Sequence, residues 1–101
     1  MAKEIKSFEE IKNFLKREIH FLKEKYKVKK IGIFGSYVRG ENKKKSDLDI
    51  LVEFYEPVNL LEIVKLENFL SERLKIKVDI IPETDIRPEL RESILLEVIY
   101  L

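Results

Sequence analysis

Between Ile31 and Phe54 the chain reads IGIFGSYVRGENKKKSDLDILVEF: an apolar strand, a Gly-Ser turn, a basic loop, and a second apolar strand opening with Asp47 and Asp49. Strand side chains alternate with period two. These carboxylates therefore face the same way, with Cα atoms roughly 6.5 to 7 Å apart, while Leu48 and Ile50 face the core. Asp is disfavoured inside strands, and like charges held side by side repel. A fold tolerates that pairing most easily where a divalent cation neutralises it, and carboxylate oxygens suit Mg²⁺. Gly35 has no Cβ, so a ligand can approach its backbone, and Ser36 adds a hydroxyl beside the free N–H groups of a helix start. Oxygen ligands on one strand and an anion pocket at the end of another are the two halves of a site for a metal-bound nucleoside triphosphate. Each half alone reads more plainly as a turn or a cap. Their coincidence favours the site.

The remaining chain supplies a scaffold. Ser7-Phe8-Glu9-Glu10 is a capping box, and Phe8, Ile11, Leu15, Ile19, Leu22 and Tyr26 draw one stripe along the helix that follows it. His20, the single histidine, sits beside that stripe among charges and reads as a surface residue. Lys30–Phe34 is the first strand. Tyr37–Arg39 make a helical turn stopped by Gly40, which sets Arg39 one turn beyond the Gly-Ser pair and within reach of a phosphate. Lys43–Lys45 reads as a solvated loop tip. A second helix starts at an Asn59 cap and buries Leu60, Ile63, Val64, Phe69, Leu70 and Leu74. Lys75–Pro82 is a third strand, interrupted by Asp79, which would be costly to bury unpaired. Pro88 opens a last helix whose inner stripe is Leu90, Ile94, Leu95, Val98 and Leu101, with Ile99 and Tyr100 facing outward. The order implies an α/β (α+β) domain spanning 1–101, with helices on a small mixed sheet of three core strands.

The 20 basic and 19 acidic residues nearly cancel, so no strong field draws the molecule to nucleic acid or membrane. Without cysteine there are no disulfides or thiolate metal sites, which suits a reducing cytoplasm. No leader is visible, and no apolar run approaches the ~18 residues of a membrane span.

Gly35-Ser36, ten intervening residues and Asp47-Leu48-Asp49 between apolar strands resemble the signature of the DNA polymerase β-like nucleotidyltransferase superfamily. The chain is most similar to its minimal members, the MNT antitoxins, which are partnered with HEPN-domain toxins. The resemblance implies that Asp79 is a third acidic ligand on the following strand. It also implies that Asp47 and Asp49 bind the Mg²⁺ carrying the triphosphate of ATP, and that a second Mg²⁺ is shared with Asp79. A salt bridge to lysine is the plainer role for Asp79. Gly35 and Ser36, with Arg39 beside them, would hold the β and γ phosphates. Tyr37 and Val38 stand where smaller residues are frequent in the family and would tighten that pocket.

Larger members of the superfamily attach domains that hold the acceptor, and 101 residues leave no room for one. The resemblance implies instead a cytoplasmic protein adenylyltransferase that moves AMP to a tyrosine of its HEPN ribonuclease partner. Two rivals stand beside it: a small-molecule nucleotidyltransferase completed by another subunit, and a non-catalytic antitoxin that acts by binding alone. A pure binder has no need of three aspartates together with Gly35 and Ser36.

Overall fold

Ser7 Oγ accepts the Glu10 amide at 3.1 Å, and the Glu10 carboxylate accepts the Ser7 amide at 3.2 Å. This reciprocal cap starts α1 (Phe8–Tyr26) where the sequence places it. The computed structural model describes residues 7–43 and 46–101. Met1–Lys6 and two lysines of the basic loop tip, Lys44 and Lys45, lie outside the described residues.

Lys27, in the left-handed conformation, turns the chain into β1 (Val28–Phe34), which begins two residues before the expected Lys30. Gly35 leads into the single turn α2 (Ser36–Arg39), closed as expected by Gly40. Next come β2 (Leu48–Phe54), α3 (Leu60–Leu74) behind an Asn59 cap, and β3 (Val78–Pro82). A 3-10 turn over Glu83–Asp85 precedes α4 (Pro88–Glu97) and β4 (Ile99–Tyr100). The sheet order is β3-β2-β1-β4; β2 and β3 are parallel, and β1 is antiparallel to both β2 and β4. It is therefore mixed, as expected, with a short fourth strand added to the three core strands.

Period two divides the sheet between two apolar clusters. Ile31, Ile33, Leu48, Ile50, Val52, Val78 and Ile80 bury one face under α1 and α3, against Ile11, Leu15, Leu22, Leu66, Leu70 and Leu74. Phe34 and Leu51 lie on the other face under Ile86, with Ile81, Ile94 and Val98 against them. Asp49 and Asp79 follow the alternation of this second, thinly covered face. His20 is exposed, as the sequence suggests.

Three expectations are corrected. Leu60 and Val64 are exposed on α3, where Leu66 joins Leu70 and Leu74 in the core instead. Tyr37 does not narrow the pocket; its ring is buried in the main core. At the C-terminus the helix stops at Glu97, no α4 residue is buried, and Leu90 and Leu95 are exposed. Ile99 and Tyr100 pair instead with Ile33 and Gly32 of β1. The outer edge of β1 carries backbone groups that need partners. Gly32 lets a strand close on them, since a Cβ there would stand 2.6 Å from Val98 Cγ2 and 3.2 Å from the Ile99 carbonyl oxygen.

At the opposite edge, α3 side chains satisfy β3. Ser71 Oγ accepts the Val78 amide at 2.9 Å, and Glu67 Oε2 accepts the Ile80 amide at 2.8 Å. These bonds flank Asp79 and fix its strand against β2. Glu67→Ala leaves the Ile80 amide without its acceptor, with an expected loss of about 1–2 kcal/mol and a fall in Tm of roughly 5–10 °C. Thermal denaturation followed by circular dichroism checks this; Glu67→Gln, which keeps an acceptor, should recover most of the loss. A Glu67→Ala variant as stable as the parent contradicts the edge-capping role.

Candidate active site

The parallel register sets Asp49 directly opposite Asp79, and partners in register on adjacent strands project from the same face. Asp47 lies one residue ahead of β2 rather than inside it, and its Oδ2 is 3.8 Å from the Lys77 ammonium. Asp79 forms no ion pair among the described residues, so the lysine bridge falls to Asp47. Asp49 and Asp79 share one end of one sheet face, and Asp47, just ahead of β2, is near enough to act on the Asp49 charge. Among the described residues no three acidic or histidine side chains converge closely enough to enclose an ion. The hard-oxygen chemistry of the three acids fits a divalent cation, provided Asp47 turns away from Lys77.

The Gly35-Ser36 corner lies against this cluster. Gly35 has φ 84° and ψ −154°, a region essentially restricted to glycine. A Cβ there would collide with the Asp49 carboxylate. The glycine therefore serves both the turn and the approach of backbone to acid. Ser36 opens α2, where the first amides have no intrahelical partner, and among the described residues its hydroxyl makes no hydrogen bond. Arg39, at the end of the same turn, directs its guanidinium back over the corner.

Glu97, which sequence reasoning did not single out, completes the group. Its Oε2 accepts the Gly35 amide at 2.7 Å, and its Oε1 lies 2.7 Å from Arg39 Nη1. Glu41 takes Arg39 Nε at 2.8 Å from the solvent side. One carboxylate thus bridges a backbone amide and a guanidinium about sixty residues away. The only hint in the sequence is an acid at the C-terminal end of a helix, where the macrodipole opposes it.

A family model described as a nucleotidyltransferase domain matches residues 9–101. The chain belongs to this family. Among curated relatives, a Methanocaldococcus jannaschii protein provisionally named a protein adenylyltransferase is 50% identical over 98 residues, covering 96% of this chain and 100% of the relative. Protein adenylyltransferase MntA of Thermococcus cleftensis is 40% identical over 94 residues, covering 93% and 95%. A solved structure, provisionally described as a minimal nucleotidyltransferase, superposes with a TM-score of 0.82 at 32% identity over 98% of this chain and 100% of the other. The fold also recurs, at 20% identity and a TM-score of 0.65, in a complex of tri-AMPylated Shewanella oneidensis HEPN toxin with MNT antitoxin. That match covers 87% of this chain and 69% of the other.

In this nucleotidyltransferase burial and neighbouring acids both disfavour a charge on Asp49. Partial burial, then Asp79 and Asp47, push the Asp49 carboxyl from its ordinary 3.8 up to about 6, with Arg39 opposing. The folded chain therefore holds this proton more tightly than the unfolded chain does. The stability that this contributes is fully present below pH ~4 and is lost as the pH rises through about 6. Asp49→Asn removes the repelling charge, and after discounting for solvent screening the expected gain at pH 7.5 is about 1 kcal/mol, a few degrees in Tm. The advantage over the parent should shrink between pH 6 and pH 4 and vanish below. Thermal melts across that range check it; a gain independent of pH, or a loss at pH 7.5, contradicts the account of a carboxylate disfavoured by burial and by its acidic neighbours.

Proposed function

We propose that this nucleotidyltransferase transfers AMP from ATP to a tyrosine hydroxyl of a cognate HEPN-domain toxin and silences it, acting in the cytoplasm as one minimal catalytic domain. The observation that carries the reading is the contact between the two halves of the site. Asp49, in register with Asp79, touches the backbone of the glycine corner, so a triphosphate seated on the corner lies beside the acids. Two relatives at 40–50% identity named as protein adenylyltransferases support a protein acceptor. The fold shared with the antitoxin bound to an AMPylated HEPN toxin supports the choice of partner. No described helix is long and apolar enough to cross a membrane.

The residues divide the work. Gly35 and Ser36 hold the β and γ phosphates through amide and hydroxyl, and Arg39 neutralises their charge. Asp47, Asp49 and Asp79 would hold Mg²⁺, which when bound neutralises the triphosphate and polarises the phosphoryl oxygens. The tyrosine oxygen attacks the α-phosphorus in line, a new P–O bond forms, the bond to the β-phosphate oxygen breaks, and pyrophosphate leaves. Asp79, beside Asp49 and free of an ion pair among the described residues, accepts the tyrosine proton.

The test is incubation with α-labelled ATP, Mg²⁺ and the protein encoded beside this chain. The neighbour should be labelled on tyrosine, and EDTA should abolish labelling. Asp47→Asn with Asp49→Asn should lower transfer at least about a hundredfold without preventing formation of the complex. An unlabelled neighbour contradicts the proposal. A double variant that still neutralises the toxin identifies a non-catalytic binder, and nucleotidylated small molecules formed without the neighbour identify the other rival.

A further inference from the structure

Glu97 holds the groups assigned above to phosphate. The Gly35 amide and the Arg39 guanidinium both donate to its carboxylate, so its oxygens use the donors that the proposed phosphate site would need. Its side chain is 22% exposed. A triphosphate on this corner meets an anion already seated.

We infer that Glu97 is a built-in competitor of the triphosphate, and that the segment carrying it must withdraw before the corner accepts nucleotide. This rests on the nucleotidyl-transfer reading and adds a gate to it. The segment is suited to leaving. No residue of α4 is buried. The segment is held by the partly buried Ile94 and Val98 on the second face, by an ion pair of Arg91 with Glu83 at 3.7 Å, by the two-residue strand on the edge of β1, and by the Leu101 amide donating to the Ile31 carbonyl at 3.0 Å. With no buried residue of its own and two short charge-assisted bonds at its C-terminal end, α4 is fixed in part by the contacts that a triphosphate would replace. When a binding-competent state is populated only in part, apparent affinity falls by that fraction. A corner open one-tenth of the time therefore weakens nucleotide binding about tenfold.

The measurement is the affinity of the parent, Glu97→Gln and Glu41→Gln for a Mg²⁺-bound non-hydrolysable ATP analogue, by calorimetry. Glu41→Gln removes the same charge and a partner of the same arginine without touching Gly35. Glu97→Gln should bind about tenfold tighter and Glu41→Gln less than about twofold tighter. In the parent, titration with Mg²⁺-tripolyphosphate should shift the Gly35 amide resonance away from its carboxylate-bonded position. Equal or weaker binding by Glu97→Gln, or equal tightening by both variants, overturns the inference. If the parent still labels its neighbour, the proposed function survives that result. Tighter binding by Glu97→Gln in a chain that labels no protein keeps the gate and overturns the acceptor. An analogue bound by none of the three overturns both.

Discussion

Two carboxylates set flush on adjacent parallel strands, Asp49 opposite Asp79, are the arrangement from which the rest of the molecule takes its meaning. Nothing in the apolar core requires them. Asp79 finds no cation among the described residues, and Asp49 is pushed up by burial and by its acidic neighbours. Repulsion of this kind opposes folding at neutral pH, so the scaffold has to hold the pair by other means. It does so with the buried face beneath them, where Leu48, Ile50, Val78 and Ile80 alternate with the acids and pack under α1 and α3, and with the α3 side chains that cap the amides flanking Asp79.

The same logic extends to the corner. Gly35 occupies a backbone region closed to residues with a Cβ and presses against the Asp49 carboxylate. The turn that faces anions and the acids that attract cations are therefore one surface. A site that draws opposite charges to neighbouring atoms is stable only when something supplies them. On the cationic side Arg39 partly serves, and on the anionic side Glu97 does. The second face of the sheet is thus partly balanced by its own side chains, with Glu97 holding the donors assigned in the proposal to a substrate phosphate.

Much of this was legible in the chain. Period two places Asp49 on the face opposite Leu48 and Ile50, though not Asp47, which lies ahead of β2, and the glycine corner follows from a small pair at the end of an apolar run. Capping residues mark the starts of α1 and α3. What stayed hidden depends on tertiary pairing. The register that puts Asp79 beside Asp49 is set by packing across β2 and β3, so the residues alone supplied an acid in an unexpected strand position, and only the family resemblance grouped it with the other two. The spacing of Leu90, Ile94, Leu95, Val98 and Leu101 suits a helix, yet the open edge of β1 beside Gly32 takes the last residues into a strand. Glu97 reaches Gly35 and Arg39 only because that strand folds back, and no local pattern links those positions.

The most direct measurement is the anomalous scattering of Mn²⁺ in crystals grown with a non-hydrolysable ATP analogue. The account predicts Mn²⁺ within about 2.1–2.3 Å of carboxylate oxygens of Asp47 and Asp49, with Asp79 beside it and the β and γ phosphates on the Gly35-Ser36 corner. Manganese bound elsewhere, or a triphosphate seated away from that corner, would contradict it.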